Sequence, residues 1–570
     1  MRSALAEKDA VSRPHGVLNG ILIIFLVSML VMLRELMNQG FFSVHIGDTF
    51  AYTGWVWQFT SALKEGIVYP RWMPLDFYGY GSPVFILYPP LAFYLTAFLN
   101  TFTGSVIRAM NCLQFMALFM TGVGIFFLVR EFYKGIAPLL AAVFFIILPD
   151  TVSRMYLLGN FASNISAAWF APVLLFTFRY LRRGGLKNIV YAGASYGGLI
   201  LTHLITAYMF TFVLAGFVLF FTVPGRRLKG LAAFPMITAA GAMVSASYLL
   251  PLIFEKKYVD LRSFITGKWL VFSSFFILPD KTSKMVNLAW SLYYNFYVFD
   301  VLFLGSLLVL FALRAGNASG NARRAGVFFA ALAAASIFPL FGISSFIWRD
   351  VPFFKYIQFP VRWLSITAFS VVFLSAGYLS SPLFSQGKKV FYVAALLLLA
   401  CIAADSFLIR KAQVFTQAEL LPPGGSYWTF EHMPLGVNPK LIKSDGPGNK
   451  AALLTGGGDA VITEWKSAER AMKVATATSA MLRVSTFNFP GWRAYLDGQP
   501  VGIQTEKDTG AMLVQVPEGT HNLVLKFTDT PVRFYGKIIS LSSFLLMVFF
   551  ICAERAGLRF NRSRGAEAVS

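Results

Sequence analysis

Apolar residues in this chain are gathered into long runs, not into the one-sided or alternating patterns of a soluble protein. Runs lie near 17–34, 108–129, 135–149, 161–179, 188–203, 205–223, 230–252, 299–313, 325–342, 361–380, 389–409 and 534–553. A hydrocarbon core about 30 Å thick takes about 20 residues of helix to cross. A further run, 84–101, is interrupted by Pro89-Pro90, and paired prolines make a poor span because each removes a backbone donor and crowds the preceding turn. The basic clusters are Arg130 with Lys134, Arg179 to Arg183, Arg226 to Lys229, Arg314 with Arg323-Arg324, Lys388-Lys389 and Arg555 to Arg564. They all fall on the cytoplasmic side if 84–101 lies along the outer interface instead of crossing. The pattern therefore predicts a polytopic α-helical membrane protein with about twelve transmembrane helices plus outer juxtamembrane helices, both termini cytoplasmic. The first run lacks an Ala-x-Ala exit and reads as a retained helix.

The period changes to two near the C-terminal end. Met481-Leu-Arg-Val-Ser-Thr-Phe and His521-Asn-Leu-Val-Leu-Lys-Phe alternate, and Gly456-Gly457-Gly458 marks a turn. Such alternation between polar turns predicts strands and a small β-sandwich. The expected organisation is a transmembrane domain over 1–409 with a large first outer loop at 35–107. An extracytoplasmic β-rich domain follows over 410–533, then a final helix at 534–553 and a basic cytoplasmic tail at 554–570.

Composition agrees with a membrane setting. Only 13% of the 570 residues are charged, against about 25% in soluble chains. The net charge of +22 would point to nucleic acid in a soluble protein; here it reads as Lys/Arg holding topology, and no nucleic-acid partner is expected. Cys112, Cys401 and Cys552 all lie in apolar runs without ligand spacing, so neither a disulfide framework nor a thiolate metal site is implied. No zinc-binding His cluster is spelled out either.

Candidate chemistry concentrates just after the first helix. Asp48 is a lone acid at a membrane mouth, able to deprotonate a sugar hydroxyl or hold a divalent cation such as Mg or Mn; it also reads as a helix cap. Tyr69-Pro70-Arg71-Trp72 sets a cation among aromatics, suited to phosphate and to a sugar face, with Tyr88 nearby. Gly79, Gly81 and Pro83 predict a tight loop.

These residues carry a resemblance. Gly47-Asp48-Thr49, the Tyr69-Pro-Arg-Trp stretch, Gly79-Tyr-Gly-Ser-Pro83 and Tyr88-Pro-Pro-Leu91 together resemble the first outer loop of YfhO-like and 6-pyruvoyl-tetrahydropterin synthase-related membrane proteins. Those families belong to the GT-C superfamily of polyprenyl-phosphate-sugar glycosyltransferases. Leu201-Thr-His203, Pro251-Leu-Ile-Phe-Glu255-Lys256, Gln358-Phe-Pro-Val-Arg362-Trp and Phe489-Pro-Gly-Trp492 are similar to further family segments, in order along the chain. Tyr52 stands where members often carry a His, which weakens the case for a His-assisted metal site.

The resemblance implies a GT-C-like fold and inverting transfer of a sugar from a polyprenyl phosphate to an extracytoplasmic glycan, lipid or protein acceptor. The site would lie on the outer face of a bacterial-type inner membrane. Asp48 would be base or metal ligand. Arg71, Arg154, Lys256 and Arg362 would neutralise the departing phosphate, and Trp72, Tyr88, His203, Glu255 and Gln358 would help bind substrate. Plainer readings stand beside these. Arg154 could snorkel, Glu255-Lys256 could be a surface ion pair, and His203 could be structural. Arg362 opens a helix, where the dipole opposes a cation, so a local anion would explain it. The rival functions are a transporter or flippase of lipid-linked sugars, disfavoured by helix interiors that read as nearly charge-free, and a non-catalytic envelope assembly protein.

Overall fold

The structure, a computed structural model, describes residues 14–38, 40–43, 46–156, 159–223, 225, 227–261, 276–277, 288–315, 320–380, 399–407, 409–410, 413–421, 432–442 and 450–555. For 41–43 and 46–48 the description extends to the backbone alone.

Eight of the described helices are long and apolar enough to cross a membrane: Gly16–Met37, Val106–Arg130, Ala137–Tyr156, Phe161–Arg183, Leu204–Phe221, Gly320–Leu340, Pro360–Leu379 and Pro531–Glu554. Each matches a predicted run. The other predicted crossings fare differently, for local reasons. The run at 188–203 forms Leu186–Thr202, a helix of only 17 residues that stops at His203. The run at 230–252 becomes two helices, Arg227–Val244 and Ala246–Tyr258, bent by 83° at Ser245. The run at 299–313 belongs to the longer helix Leu288–Ala315, and most of 389–409 lies outside the described residues, as do Lys388-Lys389 and the tail beyond 555. The Pro89-Pro90 run splits into Val84–Leu87 and Leu91–Thr103, and the longer piece has 13 residues, short of a span. The first and last spans carry exposed large apolar side chains such as Leu18, Leu30, Phe544 and Leu545, as lipid-facing helices do.

Eleven strands are present among the described residues, beginning with a small two-stranded sheet. Strand β1 (Gly40–Ser43) leaves the first helix and pairs antiparallel with β2 (Gln413–Thr416), Gly40 opposite Thr416. The remaining strands build the C-terminal sandwich. One sheet holds β3 (Ala451–Leu453), β6 (Ala480–Phe487), β10 (Ala511–Val516) and β9 (Gln504–Thr505) in that order. The other holds β4 (Gly458–Trp465), β5 (Glu469–Thr476), β11 (Gly519–Phe527), β7 (Trp492–Leu496) and β8 (Gln499–Val501). All pairings are antiparallel. The inward residues Met472, Val474, Leu482, Val484, Val514, Leu523 and Leu525 are buried at alternate positions, as a two-layer core requires.

The first loop does more than lie over the bundle. Trp72, Phe77, Tyr80 and Ile86 are part of the sandwich core itself. Trp72 packs edge-on to Trp492 at 5.5 Å between ring centroids and against Phe527 at 5.2 Å. Phe487 donates its backbone N–H to Tyr80 O at 2.9 Å. Met73 and Ser82 bridge the base of this loop, and Gly81 is fixed by both backbone and space. Its φ is +80°, and a Cβ there would sit 2.3 Å from the Trp72 indole nitrogen.

Asp76 holds the same loop from inside. It accepts hydrogen bonds from Gln58 Nε2 at 2.9 Å and Ser82 Oγ at 2.6 Å. Burial pushes its pKa up from 3.8 to about 7, against the pull of the Ser82, Gln58 and Trp55 hydrogen bonds. The folded protein thus holds this proton more tightly than the unfolded chain does. The stability involved is fully present below about pH 4 and is lost as pH rises to about 7, roughly 4 kcal/mol in all. Asp76→Asn, which cannot ionise, is expected to flatten the stability profile across that window. A thermal-unfolding series from pH 4 to 8 with an unchanged slope in the variant would count against Asp76 as the cause.

Candidate functional site

The approach to Asp48 is fastened on several sides. Asn111 Nδ2 donates to Glu35 O at 3.0 Å and to Gly40 O at 3.1 Å, β2 pairs with β1, and the helical turn Pro149–Tyr156 packs on β1. The chain then enters the helix Ile46–Lys64, and Asp48 falls in its first turn. That position agrees with the reading of a helix N-terminus at Asp48; its side chain is outside what is described.

Behind β1 lies a cluster that sequence reading missed. Asp150 forms an ion pair with Arg154 at 2.9 Å, both on the turn Pro149–Tyr156. Ser153 Oγ reaches Asp300 Oδ2 at 3.0 Å and Asp150 O at 3.1 Å. Asp150 and Asp405 are both close enough to act electrostatically on Asp300. Glu35, Asp150, Asp300 and Asp405 are all buried. Helix interiors are therefore not nearly charge-free, contrary to expectation. The available signal was simple: each is a lone acid within or at the end of an apolar run, and an acid in that setting marks a functional site by default. Arg154 faces a carboxylate, so it is more than a snorkelling residue.

A second group gathers where the helix Leu186–Thr202 ends. His203 caps Leu204–Phe221, with Nδ1 accepting from Thr206 N at 3.3 Å and 2.7 Å from Thr206 Oγ1. Arg362 is near enough to act on His203 electrostatically. Its Nη1 donates to Ile357 O at 2.7 Å and Gln358 Oε1 at 3.3 Å, and its guanidinium lies 4.9 Å from the Phe359 ring centroid. Gln358 is buried with φ +62°, a conformation costly for a non-glycine residue and held only where surrounding structure imposes it. His203, Gln358 and Arg362 are thus brought together.

The other predicted residues separate. Glu255 does not pair with the exposed Lys256. It is buried and bound by Arg533, with Nε 3.0 Å and Nη2 2.9 Å from Oε2, while Thr530 Oγ1 donates to Oε1 at 2.5 Å. This is a strut between the bent helix pair and the last span. Trp72 is buried in the sandwich core, closed to a stacking sugar in this arrangement. Tyr88 bonds Tyr52 through their hydroxyls at 2.6 Å, so the residue in place of the familiar His is tied to the aromatic cluster around Trp55. Arg71 lines a cavity with Trp72 between the first loop and the sandwich.

Residues 85–412 match the family described as "6-pyruvoyl-tetrahydropterin synthase related domain; membrane protein". The chain belongs to this family. Its membership extends from the Pro89-Pro90 helix through the Gln358–Arg362 segment to the edge of β2, so it takes in the Asp150 and Arg362 groups but not Asp48. No curated protein matches this family member. Among solved structures, it is similar to the archaeal oligosaccharyltransferase AglB from Archaeoglobus fulgidus in complex with an inhibitory peptide and a dolichol-phosphate. That likeness has 15% identity and TM-score 0.45 and covers 69% of this chain and 55% of AglB. It is also similar to the arabinofuranosyltransferase AftD from Mycobacteria, at 14% identity and TM-score 0.44, over 70% of this chain and 27% of AftD. ArnT from Cupriavidus metallidurans bound to undecaprenyl phosphate is 11% identical, at TM-score 0.28, over 64% of this chain and 77% of ArnT. The family member spans about half the length of AglB.

A divalent cation needs converging oxygen or nitrogen donors. Among the described residues no three His, Cys, Asp or Glu side chains form such a set, and Asp150 is taken by Arg154. The donors among the described residues do not fit such an ion.

Proposed function

We propose that this protein is an inverting glycosyltransferase of the membrane. It would move a sugar from a polyprenyl-phosphate donor to a glycan, lipid or protein acceptor outside the cytoplasm. The observation that carries the reading is the fastened entry to Asp48, with the Asp150–Arg154 pair and Asp300 packed behind β1. Asp48 stands in the first turn of the helix that follows β1, and the first-loop motifs follow it in the sequence. The acceptor hydroxyl gives its proton to the Asp48 carboxylate as its oxygen attacks the anomeric carbon. The new C–O bond forms as the bond to the phosphate oxygen breaks on the opposite face, and polyprenyl phosphate leaves with the electron pair. Arg362, oriented by Gln358 and beside His203, is the cation assigned to that leaving charge. The inner-membrane location, cytoplasmic termini and outer-facing site belong to the same proposal.

The test is direct. Purified protein in liposomes, given a labelled polyprenyl-phosphate sugar and envelope acceptor, should release polyprenyl phosphate in step with transfer; no release in any acceptor extract would sink the reading. Arg362→Ala is expected to raise the donor KM by about tenfold or more and to leave the acceptor KM nearly unchanged, since one charge-assisted contact to phosphate is lost. Equal effects on both substrates would remove its assigned role. The buried acids Glu35, Asp300 and Asp405 are what favours the transporter alternative. In the same liposomes, movement of intact labelled donor across the bilayer without release of its phosphate would decide for transport.

A further inference from the structure

A cavity of ≈ 270 Å³ opens where the first loop, the sandwich and the last span meet, lined by Tyr69, Arg71, Thr528, Asp529 and Lys537 among others. Arg71 is 3% exposed, yet of its three guanidinium nitrogens only Nη2 is bonded, to Ser247 O at 2.9 Å. Nε and Nη1 are buried without a partner among the described residues, and so is the Tyr69 hydroxyl. The guanidinium carbon lies over the Tyr69 ring, 3.7 Å from its centroid. The one carboxylate lining the cavity, Asp529, is already bound by Lys537 at 2.5 Å. Burying a guanidinium with most of its donors unsatisfied costs several kcal/mol, so such an arrangement persists where an anion completes it.

We propose that this cavity binds a phosphate group. Arg71 Nη2 spends only one of its two N–H groups on Ser247 O, and the other pairs with the free Nε or Nη1 donor as the planar fork that matches two phosphate oxygens; the Tyr69 hydroxyl donates to a third, and Lys537 adds charge at the rim. Its place favours a phosphate arriving with a lipid. Ser247 sits at the elbow of the bent helix pair, its N–H bound by Ser540 Oγ at 2.7 Å, and Lys537 is two turns into the last span. The cavity therefore lies at the end of the spans next to the sandwich, at headgroup level. It would take phosphate whether the protein transfers a sugar or moves one, so its failure and the failure of the glycosyltransferase reading are separate results.

The experiment uses the full-length protein in detergent, with phosphatidic acid, diacylglycerol and inorganic phosphate as probes, read by native mass spectrometry and thermal shift. Phosphatidic acid is expected to bind and raise the melting temperature where diacylglycerol does not. Arg71→Gln and Lys537→Gln should each weaken that binding, Arg71→Gln by about tenfold or more. Lys537 is partly exposed, so its variant keeps the test alive if Arg71→Gln fails to fold. Protection by inorganic phosphate alone, lost in the same variants, would assign a soluble phosphate to the site. Protection by neither probe, or binding that both variants leave unchanged, would overturn the proposal and make the cavity a water-filled one.

Discussion

Asp48→Asn is expected to leave the protein inserted and folded while cutting sugar transfer by about 10²–10⁴-fold, the range spanned by loss of a general base. The reason is chemical and positional. Asparagine keeps the shape and the ability to accept a hydrogen bond in a helix's first turn, but it cannot take the acceptor's proton. The helix Ile46–Lys64 follows a strand pinned by β2, Asn111 and the turn Pro149–Tyr156, and these contacts do not depend on the Asp48 charge. A helix-cap role alone predicts a different result: normal turnover and a stability change of about 1 kcal/mol or less. Donor binding should be retained, so the loss should fall on kcat and not on donor KM. Full transfer by the asparagine variant would sink the mechanism.

The second large effect is structural. Glu255→Ala is expected to destabilise the protein by about 3–5 kcal/mol, because it strands a fully buried arginine. Arg533 is 0% exposed and makes further bonds to Thr528 O at 3.1 Å and Pro490 O at 2.6 Å. It therefore ties the bent helix pair, the last span and the Gly491 turn of the sandwich into one joint. Gly491 itself has φ +115°, and a Cβ there would stand 2.4 Å from Arg533 Nη1. With its carboxylate gone, the guanidinium keeps its carbonyl partners but not its counter-charge. Limited proteolysis should then open the 528–533 junction first, and the melting transition in detergent should fall well below that of the parent. Glu255→Gln, which still accepts from Thr530 and Arg533, should lie between the two. An alanine variant as resistant as the parent would show that the joint is held by packing alone.

These expectations show what the sequence could and could not say. Runs of apolar residues with no polar period left little freedom, and the eight described spans lie where those runs do. The alternation in 481–487 and 521–527 likewise became β6 and β11. What local pattern cannot carry is a pairing between distant residues. Glu255 has a lysine next to it in sequence, but its partner is Arg533 on the last span. Trp72 looked like a residue for a sugar face because loop aromatics often serve there, yet its neighbours are Phe489, Trp492 and Phe527. The break at His203 was legible, since the apolar runs 188–203 and 205–223 part there; that the imidazole caps the next helix was not, because it depends on the bond to Thr206. Asp150 and Asp300 could have been flagged from sequence by their isolation, though only folding brings Ser153 between them.

The loop built into the sandwich also sets an order of events. Residues 72–86 are translated early, while the strands that cover Trp72, Phe77 and Tyr80 come last, after the intervening spans have been placed. Contacts between such distant parts of a chain form late, because the connecting loop must close before they repay the cost. Until then the loop carries large aromatic side chains with no sheet to cover them, a surface that invites sticking to membranes or to other nascent chains. A chain interrupted before β6 would keep its first helices and leave that surface bare. Quality-control proteases could therefore read completion of this protein at the first loop, far from the end that was lost.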